Sequence, residues 1–328
     1  MKKFLALILS LAMVFALVAC GGEKTDDSQN NDGESSSPVA ITLATGGTSG
    51  TYYAVGGVLK TVLDSKLTLS KLSVESTGAS VANVNMITDG DAQMAILQSD
   101  VINYAHEGTN SFDGAPETNA LWVAGIYNET VQILAKPGIN TVSDLKGKTI
   151  CVGDVGSGTE INAWQVLGAA GLTKDDVNAV NGSFQDGVDQ LKDGKIDAAF
   201  VVAGAPTPAV QDLSTGKQVY LVSLDKDHID SLIASNPYYK EYTISKEVYN
   251  TPEDVTTVAV AAVVIARNDV SEAAIYNFVS AIFNNINDIG HAKKAELSLD
   301  FASSITNVPY HPGAAKYFAE KDITVKTA

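Results

Sequence analysis

The chain has 328 residues, 45% of them hydrophobic, which predicts one or two globular domains with a substantial core. Its 22 lysines and arginines against 38 aspartates and glutamates give a formal net charge of −16. That balance excludes non-specific binding to nucleic acid or to anionic lipid, because both depend on basic patches.

The N-terminal segment predicts export. Lys2 and Lys3 precede an apolar run too short to remain as a spanning helix, so residues 1–19 are interpreted as a signal peptide. The run ends in LVAC, which resembles a bacterial lipobox with Cys20 as the lipidated residue; an ordinary signal peptide with an incidental cysteine is the alternative. Residues 20–38 are small and polar, as in a flexible tether. We therefore expect an extracytoplasmic protein that is lipid-anchored to the outer face of the cell membrane.

Strand and helix patterns alternate after the tether. VAITLA predicts a strand, and the following TYYAVGGVLKTVLDS places apolar residues at helical spacing. KLSVEST, ASVANVNMITDGD and AQMAILQSD continue as strand, helix and strand, which predicts a parallel sheet covered by helices. The pattern recurs later in the chain: the SGT of residues 49–51 returns at 157–159, and the motif that begins at Val84 returns at Val188. We interpret the recurrence as two similar α/β lobes.

Two long apolar stretches connect the lobes in this interpretation. Residues 119–136 leave the first lobe and residues 255–269 return from the second, both rich in β-forming residues, as crossing strands would be. The predicted fold class is α/β, with two parallel-sheet lobes joined by crossing hinge strands. Lobe one is assigned residues 39–125 plus 255–328, and lobe two residues 126–254.

Two glycine turns carry the functional prediction. TGGTSGTYY and VGDVGSGTE each follow a strand and open a helix, so that free backbone N–H groups and the positive end of the helix form a seat for an anion. Neither turn has the lysine of a P-loop or the spacing of a dinucleotide-binding motif. A tight strand-to-helix connection with a serine or threonine cap is the alternative for either turn alone. One such turn in each lobe favours binding, because ligands of open parallel sheets lie beyond the carboxyl ends of the strands.

The sequence predicts a binding protein, not an enzyme, and one without a metal or cofactor. The four histidines are scattered without metal-ligand spacing, and no G-x-S-x-G turn occurs. Cys151 lies in an apolar strand and is most simply a small buried hydrophobe. A two-lobed transferase is the alternative, and it would need a placed nucleophile or a covalent cofactor. We expect a monomer.

Several motifs resemble one family of receptors from about Ala40 to the C-terminus. TGGTSGTYYAVGG, STGASVANVN, LQSD, VVAGAP and VPYHPGA resemble the solute receptors of TRAP transporters, specifically the TAXI branch. The resemblance implies a two-lobed, type II-like periplasmic-binding-protein fold. It also implies a receptor that closes on a small carboxylate, glutamate or a related dicarboxylate, and delivers it to the TRAP membrane permease of an ion-gradient-driven transporter. A binding protein of an ABC importer or sensor kinase for another small organic anion is the alternative.

The resemblance also supplies candidate ligand contacts. Arg267, the only arginine, lies at the end of a crossing strand outside any matched motif, so we assign recognition to backbone amides and hydroxyls. The candidates lie in the matched motifs of the two lobes: Thr48, Ser49, Gly50, Tyr53, Thr77, Ser80 and Gln98 in lobe one, and Ser157, Gly158, Thr159, Asn162, Ala203 and Ala205 in lobe two.

Overall fold

The computed structural model describes residues 38–215, 218–304 and 307–327. The predicted signal peptide, the lipidation site at Cys20 and the tether before residue 38 lie outside the described residues. Within the described ranges, no helix combines the length and the apolar character needed to cross a membrane.

Strands and helices alternate along both halves of the chain, as the sequence patterns predict. The strands are β1 (Val39–Ala44), β2 (Ser70–Glu75), β3 (Met94–Gln98), β4 (Ala120–Ala135), β5 (Thr149–Cys151), β6 (Asn178–Val180), β7 (Ala198–Ala203), β8 (Lys240–Ile244) and β9 (Val255–Arg267). The α-helices are α1 (Thr51–Leu63), α2 (Ser80–Asp89), α3 (Ser99–Glu107), α4 (Gly158–Ala169), α5 (Phe184–Lys192), α6 (Pro208–Ser214), α7 (Lys226–Ser235), α8 (Glu272–Asn284), α9 (Leu299–Ser303) and α10 (Pro312–Ala319).

The strands form one continuous mixed sheet. Its order is β2-β1-β3-β9-β4-β7-β5-β6, with β8 also paired to β9. The neighbours within β2-β1-β3 and within β7-β5-β6 are parallel, as predicted for the two lobes. The long strands β4 and β9 are antiparallel to each other and to β3 and β7. These two strands lie within the stretches predicted to cross between the lobes.

The hydrophobic core divides along the crossing strands. One cluster packs β1, β3 and α8 against Ile126 of β4 and Ala262 of β9. Two further clusters pack β5 and β7 against β4 from Val131 onward and against β9 up to Val260. Each crossing strand therefore gives one end to each side, which is the arrangement that two lobes with a shared hinge require. The lobe bounds assigned from the sequence remain a prediction.

Gly313 lets helix α10 pack closely on helix α8. A Cβ atom at this position would lie 2.2 Å from the carbonyl oxygen of Glu272 and 2.8 Å from the backbone nitrogen of Tyr276. Gly313→Ala is expected to lower the free energy of unfolding by about 1–3 kcal/mol, because backbone atoms cannot move aside as a flexible side chain can. Urea unfolding followed by circular dichroism measures the loss.

Gly57→Ala in helix α1 is the matched control. A Cβ atom there meets nothing within 4 Å, so the substitution adds helix propensity without a clash. We expect it to raise the free energy of unfolding by about 0.5–1 kcal/mol. Equal unfolding midpoints for the two variants would contradict the close packing at Gly313.

Candidate functional site

The carboxyl ends of strands from both lobes meet at the middle of the crossing strands. Gln98, the last residue of β3, pairs with Ala262 of β9. Ala203, the last residue of β7, pairs with Thr130 of β4. Thr130 itself pairs with Ala259 of β9, so the two strand ends lie a few residues apart on adjacent strands. The turns that follow these ends close over a shared cavity.

Five helices begin at this small cavity. Water-sized centres fit within about 40 Å³ of its interior, which is room for a few water molecules. The N-cap residues of α1, α2, α3, α4 and α5 all line it: Gly50, Ala79, Gln98, Ser157 and Ser183. The positive ends of five helix dipoles, with their first-turn N–H groups, are therefore gathered around one small volume.

Local sequence decides how each of these helices is capped. The Ser157 hydroxyl accepts a hydrogen bond from the Glu160 backbone N–H at 3.1 Å, and the Ser183 hydroxyl accepts one from that of Asp186 at 3.2 Å. The N-cap residues of α1, α2 and α3 make no such side-chain hydrogen bond. Lobe one thus contributes helix starts without a side-chain cap, and lobe two contributes helix starts capped by a serine hydroxyl.

A chain of three polar side chains joins the lobes beside the cavity. Asn162 of α4 donates through Nδ2 to Oδ2 of Asp100 at 2.9 Å, and Gln98 donates through Nε2 to Oδ1 of Asn162 at 2.7 Å. Each of the three is at most 1% exposed. Burial raises the pKa of Asp100 to about 6, so its carboxylate form prevails at neutral pH.

The carboxylate of Asp100 fixes the orientation of both amides. A carboxylate only accepts hydrogen bonds, so Asn162 turns its NH₂ to Asp100 and its oxygen to Gln98. Gln98, which lines the cavity, must then donate through Nε2. Its Oε1 lies against Gly158 and is left buried without a hydrogen-bond partner among the described residues. A ligand with an N–H or O–H group could satisfy this oxygen.

Glu129, in the centre of β4, is a second buried polar group that lines the cavity. It is 1% exposed, and its Oε1 accepts a hydrogen bond from the Gly204 backbone N–H at 3.0 Å. Glycine is required for this approach, because a Cβ atom at 204 would lie 2.7 Å from Cε of Lys293 and 2.8 Å from Cε2 of Tyr127. The hydroxyls of Tyr127 and Tyr52 are near enough to lower the pKa of Glu129, yet neither reaches hydrogen-bond geometry.

One buried lysine stands near two glutamates here. Lys293, whose side chain is 4% exposed, pairs with Oε1 of Glu296 at 2.7 Å. Glu296 also accepts hydrogen bonds from the backbone and side-chain nitrogens of Asn128, both at 2.7 Å. Lys293 lowers the pKa of Glu129, but burial outweighs it and raises that pKa to about 8. Glu129 therefore keeps its proton at neutral pH.

The cavity has no side-chain cation. Of the described residues that line it, none is a lysine or arginine, and the two carboxyl groups are those of Glu129 and Asp154. Burial, with a smaller contribution from Asp186, raises the pKa of Asp154. Arg267 lies at the outer end of the crossing strands, where its Nε pairs with Asp269 at 2.6 Å.

The structure brings part of the predicted contact set to the cavity. The predicted contacts that line it are Ser49, Gly50, Ser80, Gln98, Ser157, Gly158, Thr159 and Ala203. The predicted contacts that do not line it are Thr48, Tyr53, Thr77, Asn162 and Ala205. We retain the first group as proposed ligand contacts and do not retain the second. Asn162, in the second group, still orients the side chain of Gln98 through their hydrogen bond.

The residues outside the cavity have local reasons for their positions. Thr48 is exposed in the turn, and Tyr53 is 36% exposed. The Thr77 hydroxyl donates to the Thr45 carbonyl oxygen at 2.9 Å and so ties its own loop together. Tyr52, one position earlier, lines the cavity instead, because it shares the buried face of α1 with Val55.

Sequence reasoning missed Tyr52, Glu129 and Asp154. Tyr52 has the helical spacing of the apolar stripe that continues through Val55, so periodicity could have favoured it over its neighbour. Glu129 lies in the polar sequence NET, residues 128–130, in the middle of an otherwise apolar crossing strand. A polar group in such a strand needs a reason to be buried, and this could have indicated a functional residue. Asp154 lies inside the second glycine turn itself.

A family model described as the NMT1-like family matches residues 43–321 of the chain. The chain belongs to the NMT1-like family. This match spans both lobes, the crossing strands and the cavity between them.

Solved structures with similar folds include three at low sequence identity. A protein of Bordetella bronchiseptica RB50 is 16% identical with a TM-score of 0.52, covering 86% of this chain and 89% of that one. PhnD1 of Prochlorococcus marinus, solved with methylphosphonate, is 14% identical with a TM-score of 0.51, covering 81% and 90%. The periplasmic aliphatic sulphonate-binding protein SsuA of Escherichia coli is 16% identical with a TM-score of 0.44, covering 87% and 91%. The predicted two-lobed, periplasmic-binding-protein-like fold is confirmed by the two structures whose TM-scores exceed 0.5.

The assignment to the TAXI branch of TRAP receptors is wrong. The family model that covers the chain is that of the NMT1-like family. The glutamate ligand and the TRAP permease, which only that resemblance implied, lose their support with it. Several of the misleading motifs are strand-to-helix turns, and glycines and hydroxyls are common in such turns for local backbone reasons in unrelated proteins.

Glu129→Gln should change how stability depends on pH. The carboxyl pKa rises from 4.5 to about 8 on folding, so the wild type loses stability as pH rises between those values, when the unfolded chain ionises and the folded one does not. Glutamine resembles the protonated acid and removes up to about 1.4 kcal/mol per pH unit of that loss. Urea unfolding of both proteins from pH 5 to pH 8.5 measures the difference, and Glu253→Gln on the surface is the control. Parallel stability curves for wild type and Glu129→Gln would contradict a protonated Glu129.

Proposed function

We propose that this chain is the extracytoplasmic solute-binding component of an ABC-type importer and that it binds a small organic anion in the cavity between its lobes. The observation that carries the proposal is the convergence of five helix N-termini on one enclosed volume at the middle of the crossing strands. The proposal replaces the TRAP receptor with the alternative considered from the sequence. Lipid anchoring through Cys20 stays a prediction.

Helix N-termini favour an anion even where side-chain cations are absent. The free N–H groups of a first helical turn donate hydrogen bonds to an anionic oxygen, and the helix dipole adds a favourable potential. In water each such contribution is modest, but the cavity is enclosed, so several together are less screened. Uncapped helix starts at Gly50 and Ala79 face capped ones at Ser157 and Ser183 across the cavity, so an anion there would touch both lobes.

The buried acceptor of Gln98 adds a second requirement. Its Oε1 has no partner among the described residues, and an unsatisfied buried polar atom costs about 1–3 kcal/mol. A ligand that carries a hydroxyl or an N–H group beside its anionic group would recover that cost. We therefore expect hydroxylated or amino-substituted anions to bind more tightly than the same anions without the donor.

Direct contacts between the lobes fit a protein that closes around its ligand. The Thr51 hydroxyl donates to the Gly204 carbonyl oxygen at 2.8 Å, and the Ala209 backbone N–H donates to the Ser49 carbonyl oxygen at 3.1 Å. Since the cavity is small and enclosed by these contacts, a solute must enter when they open. Opening about a hinge formed by two crossing strands is a common motion for this purpose.

Calorimetric titration with matched pairs of anions tests the ligand class. The pairs are 2-hydroxyethanesulfonate with ethanesulfonate, and lactate with propionate. We expect at least one hydroxylated member to bind, about tenfold more tightly than its partner lacking the hydroxyl, which corresponds to one hydrogen bond of about 1.4 kcal/mol. Binding of propylammonium in preference to all four anions would overturn the anion site.

The importer class is tested separately from the ligand. The loaded protein is added to proteoliposomes that hold a candidate ABC permease and its ATPase subunits, with the ATP hydrolysis rate as the measurement. We expect the loaded protein to stimulate hydrolysis several-fold over the ligand-free protein, because the closed form presents both lobes to the permease. Solute uptake that depends on this protein but continues without ATP would contradict an ABC partner.

A further inference from the structure

We propose that Glu129 is a specificity-determining residue of the cavity, and that its carboxyl group, neutral because the neighbouring lysine is paired elsewhere, donates a hydrogen bond to the bound anion. The inference deepens the proposed function and rests on it, since it names the group that recognises the anion. It concerns a residue in a buried hinge strand, away from both glycine turns.

The geometry assigns the proton to one oxygen of Glu129. Oε1 accepts the Gly204 N–H at 3.0 Å, so this oxygen acts as the carbonyl-like acceptor. A protonated carboxyl group has one O–H donor and one remaining acceptor oxygen, so the proton belongs on Oε2. Glu129 lines the cavity while being 1% exposed, and the hydroxyls of Tyr52 and Tyr127 lie near the same carboxyl group.

The buried charges near Glu129 leave its carboxyl group without an ion-pair partner of its own. Lys293 is 2.7 Å from Glu296 and also lies over the ring of Tyr127, 5.7 Å from its centroid. One ammonium near two carboxyl groups can neutralise only one of them, and the contact distance selects Glu296. An ionised Glu129 would then be a buried negative charge against an anion, which is strongly unfavourable.

Two tyrosines close to Glu129 do not change charge in the same pH range. Tyr52 of α1 and Tyr127 of β4 have pKa values raised well above the ordinary range by burial, so both stay neutral. Lys293 and Glu296 form their ion pair nearby, and burial raises the pKa of Asp100 to about 6. Ionisation of Glu129 is therefore the change that this part of the cavity undergoes above pH 8.

Glu129 thus acts as a neutral donor below that pH and as a repelling charge above it. Anions with acceptor oxygens benefit from the donor, and cations gain little from a carboxyl group that keeps its proton. The same fold with an ionised carboxylate at this position would favour a ligand with a cationic group. Glutamine at position 129 would retain both the donor and the acceptor without the titration.

Binding of 2-hydroxyethanesulfonate and of lactate is measured by calorimetry at pH 6.5, 7.5, 8.5 and 9.5, because neither anion titrates in this range. We expect the wild-type Kd to stay constant up to about pH 8 and then to rise about tenfold per pH unit. Glu129→Gln should bind with a Kd within about threefold of the wild type at pH 6.5 and show no rise. Asp154→Asn, which removes the other cavity carboxyl, and Glu253→Gln on the surface should both keep the wild-type rise.

The outcomes separate this inference from the function on which it rests. A wild-type Kd that is flat across the range, a Glu129→Gln protein that keeps the rise, or a rise that disappears in Asp154→Asn would overturn the role of Glu129. If neither anion binds at any pH, the proposed ligand class fails. In that case ¹³C NMR of the Glu129 carboxyl in ligand-free protein decides the inference: a neutral carboxyl at pH 7 supports it, and an ionised one overturns it.

Discussion

The antiparallel pairing of β4 with β9 through the middle of the molecule is the constraint on which the rest of the structure depends. Both strands continue from one lobe into the other, so the lobes share a sheet and have separate cores. The strands β3 and β7 end against the middle of this pair, at Gln98 and Ala203. In parallel βα units each helix starts where its strand ends, so the helices of both lobes must begin at the same place. The cavity is a direct consequence of this topology.

The topology also gives a physical basis for the proposed anion site in a cavity whose described lining contains no lysine or arginine. The chain carries a net charge of −16 and a single arginine, which is bound to Asp269 at the outer end of the hinge. Helix starts provide the positive potential in its place, and they belong to the backbone. Such contacts cost less to expose when the lobes open, because no buried ion has to be left without its partner.

Much of the fold follows from the sequence. The crossing strands were predictable from two long β-rich runs, and the helix starts at Gly50 and Ser157 from glycine turns after apolar strands. The choice between Tyr52 and Tyr53 was within reach of helical periodicity.

The polar cluster around Glu129 was not predictable as a whole. The strand residues are close in sequence, but Gly204 and Lys293 come from distant segments and meet Glu129 only through tertiary packing. The effect of burial on the Glu129 pKa likewise depends on that packing, since an exposed glutamate of the same sequence would be ionised. The family resemblance failed for a related reason: short turns report local backbone demands more than they report ancestry or ligand.

In the proposed function, ligand recognition and closure of the lobes depend on the same residues, at the middle of strands β4 and β9. Gln98 is at once the N-cap of α3, a cavity-lining residue and a member of the hydrogen-bonded chain to Asn162 across the lobes. The hydrogen bonds within that chain join the two lobes, so they favour the form in which the lobes are together. A ligand shifts the equilibrium between the open and closed forms only through interactions that it makes in the closed form alone. In the proposed site these are a hydrogen bond to Gln98 Oε1 and simultaneous contact with the helix N-termini of both lobes. Selectivity for the solute and the tendency to close therefore depend on the same few polar atoms, and a solute that fails to reach them leaves the lobes as they were.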